Sequence, residues 1–308
     1  MIDTPIFILS SGRCGSTLMQ RTLNSYADIT IWGEHNGFLR DMANGFFSLL
    51  GEHKEAQPRV LKSDKIALHT SEDLARFTAA DKWQGLMNCF DEQDVVNHFR
   101  TLVRSMLVLP VMEQGHIWGF KEIRYGLDDR VIEFLHRLFP QAHFVFLVRN
   151  GLNTIASKAV KFYTGEGRRN KLGVTASISR GSMAWRKQYL QFRNWHGSGI
   201  LNSHWIAFED LIQSVDVLAP LLSDLGKEIG DEQRSVLAMT EGRGASNVSG
   251  GVNDRSRFLN YPQLVLAQWS LGDLNTALGY PTPLSVGWVA PLRKLLGRNR
   301  ALLEAEKV

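Results

Sequence analysis

Apolar residues in this chain fall into short unbroken runs that alternate with stretches of helical spacing. Pro5–Ser10 (PIFILS) is apolar and β-branched and ends at the turn cluster Ser10-Ser11-Gly12, which predicts a buried strand. Ser16–Tyr26 carries an apolar stripe at Leu18, Met19, Thr22 and Leu23 and predicts a helix. Ile29–Gly33, Ile117–Ile123, His143–Arg149 and His204–Phe208 predict four further strands, of which His143–Arg149 is the clearest. Asp128–Phe139 has helical spacing at Val131, Phe134, Leu135 and Leu138, and Pro140 stops it. Helices are also expected over Leu152–Tyr163 and Leu211–Leu225.

Strands alternating with amphipathic helices imply βαβ units and a mainly parallel sheet covered on both faces. Ligands of such sheets bind at the carboxyl ends of the strands. Leu39–Gly115 is mostly helical by pattern and reads as an insertion, a lid or acceptor-binding region over those ends. The expected organisation is one domain over residues 1–287 with a helical insertion at 39–115, followed by a basic amphipathic tail at 288–308. The tail would pack against the body or a second subunit, or else touch a membrane surface.

Composition narrows the class. At 308 residues, with 44% hydrophobic and 21% charged, the chain is long enough to bury roughly 75% of its unfolded surface and too apolar to be mainly disordered. Its two cysteines, Cys14 and Cys89, cannot form a disulfide framework or a four-thiolate zinc site, and they suit a reducing compartment. No run of 18 apolar residues is present, and Met1–Pro5 lacks a signal-peptide layout, so a cytoplasmic protein is expected. The net charge of +4 is uneven: Arg149–Arg193 holds ten basic residues against one acid, Glu166, and the last twenty residues add +3, which leaves the remainder at −8. A basic segment on an otherwise acidic chain points to a local anionic ligand rather than to nucleic acid.

Ser11-Gly12-Arg13-Cys14-Gly15-Ser16-Thr17 lies between a predicted strand and a predicted helix. There the loop N–H groups and the helix dipole converge on a phosphate-sized spot, with hydroxyls from Ser16 and Thr17 and a charge from Arg13. The plainer reading is a strand–helix turn in which Ser caps the helix. A nucleotide-hydrolysing loop needs Lys where Gly15 stands and a later Asp to hold magnesium, and neither is found. Cys14 and Arg21 are one residue too far apart for a cysteine phosphatase, so Cys14 reads as a small loop residue. A second anion grip is expected where Arg149 ends a strand and Ser157 follows two helical turns on.

These motifs, in this order, resemble the PAPS-dependent sulfotransferase superfamily, PAPS being 3′-phosphoadenosine 5′-phosphosulfate. Ser11–Leu18 is similar to the family's 5′-phosphosulfate loop, and Phe144–Asn150 with Ser157 to its 3′-phosphate strand and helix. Trp118–Arg124 with Leu138-Phe139-Pro140 resembles the preceding segment of tyrosylprotein and carbohydrate members, and Ala207–Leu211 a later strand end. The resemblance implies an α/β, P-loop-like three-layer fold with a central mainly parallel sheet. It assigns Arg13, Cys14, Gly15, Ser16 and Thr17 to the 5′-phosphosulfate, Arg149 and Ser157 to the 3′-phosphate, and Arg13, Lys121 and Glu34 to catalysis, with Glu34 as general base. Arg13 in place of a lysine, and a Glu in place of a histidine base, set the chain apart from the cytosolic small-molecule branch.

The implied activity is sulfuryl transfer from PAPS to a hydroxyl (or amine) of a carbohydrate, peptide or small metabolite, leaving PAP, with no metal required. Glu34 could instead cap the next helix or pair with Arg40, and the adjacent His35 is an alternative base. Lys121 could simply pair with a neighbouring acid. His53, His69, His98 and His116 show no metal spacing and read as structural. Arg243, Arg255 and Arg257, within Gly242–Ser256, are candidates to close over the nucleotide. The rival activities are a nucleoside or metabolite kinase and a non-catalytic PAP-binding protein.

Overall fold

The computed structural model describes residues 4–50, 92–108, 116–125, 130–163, 171–236, 259–271 and 274–280. Two compact units make up the chain, residues 1–148 with 190–244 and residues 149–189 with 245–308.

The first unit is built on five strands, β1 (Ile6–Ser10), β2 (Ile29–Trp32), β3 (Ile117–Glu122), β4 (His143–Val148) and β5 (Asn202–Ala207). They form one sheet in the order β2-β3-β1-β4-β5, and every pair is parallel. The expected fold class holds: a parallel sheet with helices on both faces. Side chains alternate across the sheet with period two. Phe7, Leu9, Trp118, Phe120, Phe144 and Phe146 join one buried cluster with residues of α2 (Leu39–Leu49), α3 (Glu92–Leu107) and α4 (Val131–Leu138). Ile6, Ile8, Val145 and Leu147 face the other way, against Leu18, Met19 and Leu23 of α1 (Ser16–Leu23). Burial on both faces is why β1 and β4 read as continuous apolar runs. Each such side chain contributes about 1.5–3 kcal/mol. Within β3 only glycine fits at position 119, because a Cβ there would lie 2.0 Å from the Ile6 carbonyl oxygen.

Several expected elements differ in extent, and α1 ends at Leu23 rather than at Tyr26. β5 starts at Asn202, two residues early, because Asn202 pairs with His143 at the start of β4. The single helix expected over Leu211–Leu225 is instead α7 (Phe208–Leu211), a 3-10 turn at Val215–Leu218, and α8 (Ala219–Asp224). Ser214 breaks it: its hydroxyl accepts the Asp216 N–H at 3.0 Å and starts a new turn. Of the expected insertion, α2 and α3 are helical; residues 51–91 and 109–115 lie outside the described residues, as do the basic tail and Gly242–Ser256.

The second unit contains α5 (Gly151–Tyr163), α9 (Tyr261–Leu271), α10 (Leu274–Ala277) and the stretch through Tyr189 of α6 (Lys171–Gly197). The pattern of apolar positions does not predict α6, whose buried apolar residues, Ile178, Trp185, Tyr189 and Phe192, form a thin stripe among basic positions. Gly151 opens α5 against Leu271, where a Cβ would come within 2.7 Å of the leucine side chain. Among the described residues no helix is long and apolar enough to cross a membrane.

Candidate active site

The loop after β1 is held in a shape that side chains resist. Arg13 has φ of 74° and Gly15 φ of 84°. A left-handed non-glycine residue costs on the order of 1 kcal/mol and persists where its surroundings fix it. At Gly15 a Cβ would lie 2.2 Å from the ring of Phe208, the first residue of α7, so the loop touches the end of β5 through a bare backbone. Cys14 is buried, with Sγ 2.7 Å from the Ser11 hydroxyl, inside the loop. Gly15, not a serine, is the N-cap of α1: its carbonyl accepts the N–H groups of Leu18 (2.9 Å) and Met19 (3.1 Å), and no side chain caps the helix. The first turn, with Ser16 buried and Thr17 exposed, therefore presents its N–H groups as an anion site does.

Beside the loop, at the carboxyl ends of β2 and β3, stands a charged cluster. Lys121 pairs in register with Ile8 of β1, on the face toward α1. Its Nζ donates to Glu34 Oε1 at 2.6 Å, and Arg124 donates to Glu34 Oε2 at 3.1 Å. Of the two, Lys121 is nearly buried while Glu34 is about a third exposed. Arg40, a possible partner for Glu34 by sequence, donates instead to the Arg124 carbonyl.

Glu122, which sequence reasoning passed over, organises the turn behind this pair. Its side chain is fully buried and accepts from Ile123 N–H (2.8 Å), Gly37 N–H (2.9 Å) and the Arg124 guanidinium (2.8 Å). Burial alone pushes this carboxyl up, but the Ile123 N–H, Arg124, His35 and the Gly37 N–H together hold it below the usual range. The signal was present in Lys121-Glu122-Ile123-Arg124, a run of charges ending an apolar strand. His35 packs edge-on against Phe38 and Phe120, bonds Tyr125 Oη at 2.6 Å, and lies 3.9 Å from Glu122. Burial pushes its imidazole down, Glu122 opposing and Arg124 assisting. Because Phe120 and Lys121 point to opposite faces of β3, His35 stands behind the sheet from Lys121.

In the second unit, Arg149 and Ser157 are both buried, Arg149 directly after β4 and Ser157 within α5. Asn150 caps α5, its Oδ1 accepting from Leu152 (2.9 Å) and Asn153 (3.3 Å), while Asn275 takes the Gly151 N–H at 2.8 Å. These bonds occupy the N–H groups at the start of α5, so an anion here would rely on Arg149 and Ser157 side chains. His116 bonds Thr30 at 2.7 Å in a structural role, and His53 and His69 lie outside the described residues.

The comparisons with known proteins bear on the fold and the family. The sulfotransferase domain of the Synechococcus PCC 7002 olefin synthase is 18% identical, with a TM-score of 0.54 over 91% of this chain and 97% of that one, and so shares the fold. The sulfotransferase domain from the curacin biosynthetic pathway is 19% identical over 95% of this chain and 97% of that one, with a TM-score of 0.46. Mouse sulfotransferase SULT7A1, solved with PAP, is 12% identical over 92% of this chain and 80% of that one, with a TM-score of 0.42. A comparison with curated protein sequences gave no match. The model of the sulfotransferase family matches residues 5–219, a span that includes the loop after β1, Glu34, Lys121, Arg149 and Ser157, and the chain belongs to that family.

Proposed function

We propose that this chain transfers a sulfuryl group from PAPS to an acceptor hydroxyl, releasing PAP. Family membership supports sulfuryl transfer. The observation that carries the finer reading is the Glu34–Lys121 pair beside a helix N-terminus that no side chain caps. In the proposed reaction Arg13, Gly15, Ser16 and Thr17 hold the 5′-phosphosulfate, Cys14 shaping the loop from inside. Arg149 and Ser157 hold the 3′-phosphate.

The acceptor oxygen attacks sulfur as the bond from sulfur to the 5′-phosphate oxygen breaks. Negative charge grows on that bridging oxygen, where each well-placed donor lowers the barrier by about 3 kcal/mol. Lys121 and Arg13 supply cations there, and Glu34 takes the proton from the acceptor. Its carboxylate, released from Lys121 as the lysine turns to the sulfuryl group, is positioned as base by Arg124. The acceptor is a carbohydrate, peptide or small metabolite met by residues 39–115, and the reaction belongs to the cytoplasm.

Calorimetric titration with PAP and with ADP, each with and without magnesium, tests the reading. Tight PAP binding that ignores magnesium, with ADP much weaker, is expected. ADP binding that equals PAP or requires magnesium would overturn it in favour of a kinase. PAP binding without sulfuryl transfer to any acceptor in a screen with PAPS would favour a non-catalytic binder.

A further inference from the structure

The opposite edge of the sheet carries a cluster that the transfer reaction does not use. His143 is the first residue of β4, His204 the third of β5, and Asp224 the last of α8. Strands of six residues rise about 20 Å end to end, so this amino-terminal edge is well separated from the anion loop at the carboxyl edge. The ligand-type atoms of the three side chains all lie within 4.8 Å of one another.

Two of the separations have a specific length. His143 Nδ1 is 3.3 Å from His204 Nε2, and His204 Nε2 is 3.4 Å from Asp224 Oδ2. A tetrahedral ion with ligand bonds of about 2.0–2.1 Å sets its ligand atoms about 3.3–3.4 Å apart. Both contacts are long for a hydrogen bond between these atoms. Asn202, opposite His143 in the ladder, has its amide 2.9 Å from the same Nδ1, and a half-turn of that amide presents an oxygen there.

We propose that His143, His204 and Asp224 bind one divalent transition-metal ion of the zinc type, which ties the starts of β4 and β5 to α8. The donor set, two imidazoles and one carboxylate, is the one such ions take, and Asn202 or water completes the tetrahedron. Burial pushes both imidazoles down, toward the neutral ring that ligates. Asp224, about half exposed, leaves the ion a way in from solvent. The role is structural, remote from the sulfuryl group, and consistent with a transfer reaction that needs no metal. Sequence offered no signal, because the two histidines lie 61 positions apart.

The test uses the full chain, purified without a histidine tag and stripped with a chelator. Zinc titration should show one equivalent bound and a raised melting temperature, and cobalt should give the visible absorption of a tetrahedral site. Asp224→Ala, a surface change that leaves the fold and PAP binding intact, should weaken zinc about tenfold or more. His204→Gln should abolish the cobalt band. Zinc binding that both variants share unchanged would place the ion elsewhere. No zinc binding by the wild-type chain would leave the two histidines as a hydrogen-bonded pair only.

Discussion

Lys121 Nζ lies 2.6 Å from Glu34 Oε1, joining a nearly buried lysine on β3 to a carboxylate two residues beyond β2. A buried lysine carries a desolvation cost that one ion pair does not repay on its own. That cost fits a residue kept for chemistry rather than for stability. Glu34→Gln keeps the size and a hydrogen-bonding oxygen but removes the base. Turnover should fall by about 100-fold or more, with PAP affinity, read by calorimetry, changed only a few fold. Equal loss of both would make Glu34 structural.

Lys121→Met tests the partner. Loss of a cation at the developing charge should lower turnover by about 100–1,000-fold, while the melting temperature holds or rises, since the replacement is apolar and fills the same space. A large drop in melting temperature, with turnover per folded molecule preserved, would place Lys121 in the scaffold.

Arg149→Ala separates the two anion sites. A charge-assisted bond is worth about 1.5–3 kcal/mol, which corresponds to a loss in PAP affinity of roughly 10- to 150-fold. A nucleotide with the 5′-phosphate alone should bind the variant nearly as well as the wild-type chain. If both ligands weaken alike, Arg149 does not read the 3′-phosphate.

Much of this was legible because the decisive features are local. β1, the loop and α1 follow one another within Pro5–Leu23, and short apolar runs mark β3 and β4. Glu34 and Lys121 could each be named as candidates, but their pairing could not, since it joins residues 87 positions apart. The same limit hid Glu122, whose partners on the loop before α2 become neighbours only once β2 and β3 align in parallel. It also hid the break at Ser214, where a single side-chain bond to Asp216 outweighs a helical apolar pattern. The plainer alternative for this loop has Ser cap α1; Gly15 is the N-cap instead, and Phe208, nearly 200 residues on, leaves no room there for a side chain.

Gly15 gives a prediction on the fold and the site together. Gly15→Ala meets both a left-handed backbone and the Phe208 ring at 2.2 Å. It should destabilise by roughly 1–3 kcal/mol and weaken PAP as the loop shifts. Phe208→Ala in the same chain should recover part of the PAP affinity by opening the space, even though it lowers the melting temperature further. No recovery would mean that backbone conformation alone forbids the substitution.

The pH dependence of stability follows from His35 and Glu122. Burial depresses the His35 imidazole from its usual 6.5, so the folded chain resists the proton that the unfolded chain accepts. Stability is then fully present above about 6.5 and falls as pH drops through the lowered folded value. Glu122 is also held below its ordinary 4.5, so its contribution persists above that value and is lost at lower pH still. Two successive losses are expected on acidification, the first shared by His136, His143 and His204, which shift in the same direction. Melting temperatures measured from neutral to acid pH in the presence of a chelator should show this. His35→Gln should flatten the first decline and leave the second, while Glu122→Gln should lower stability at neutral pH and flatten the second. A first decline of unchanged slope in His35→Gln would assign it wholly to the other histidines.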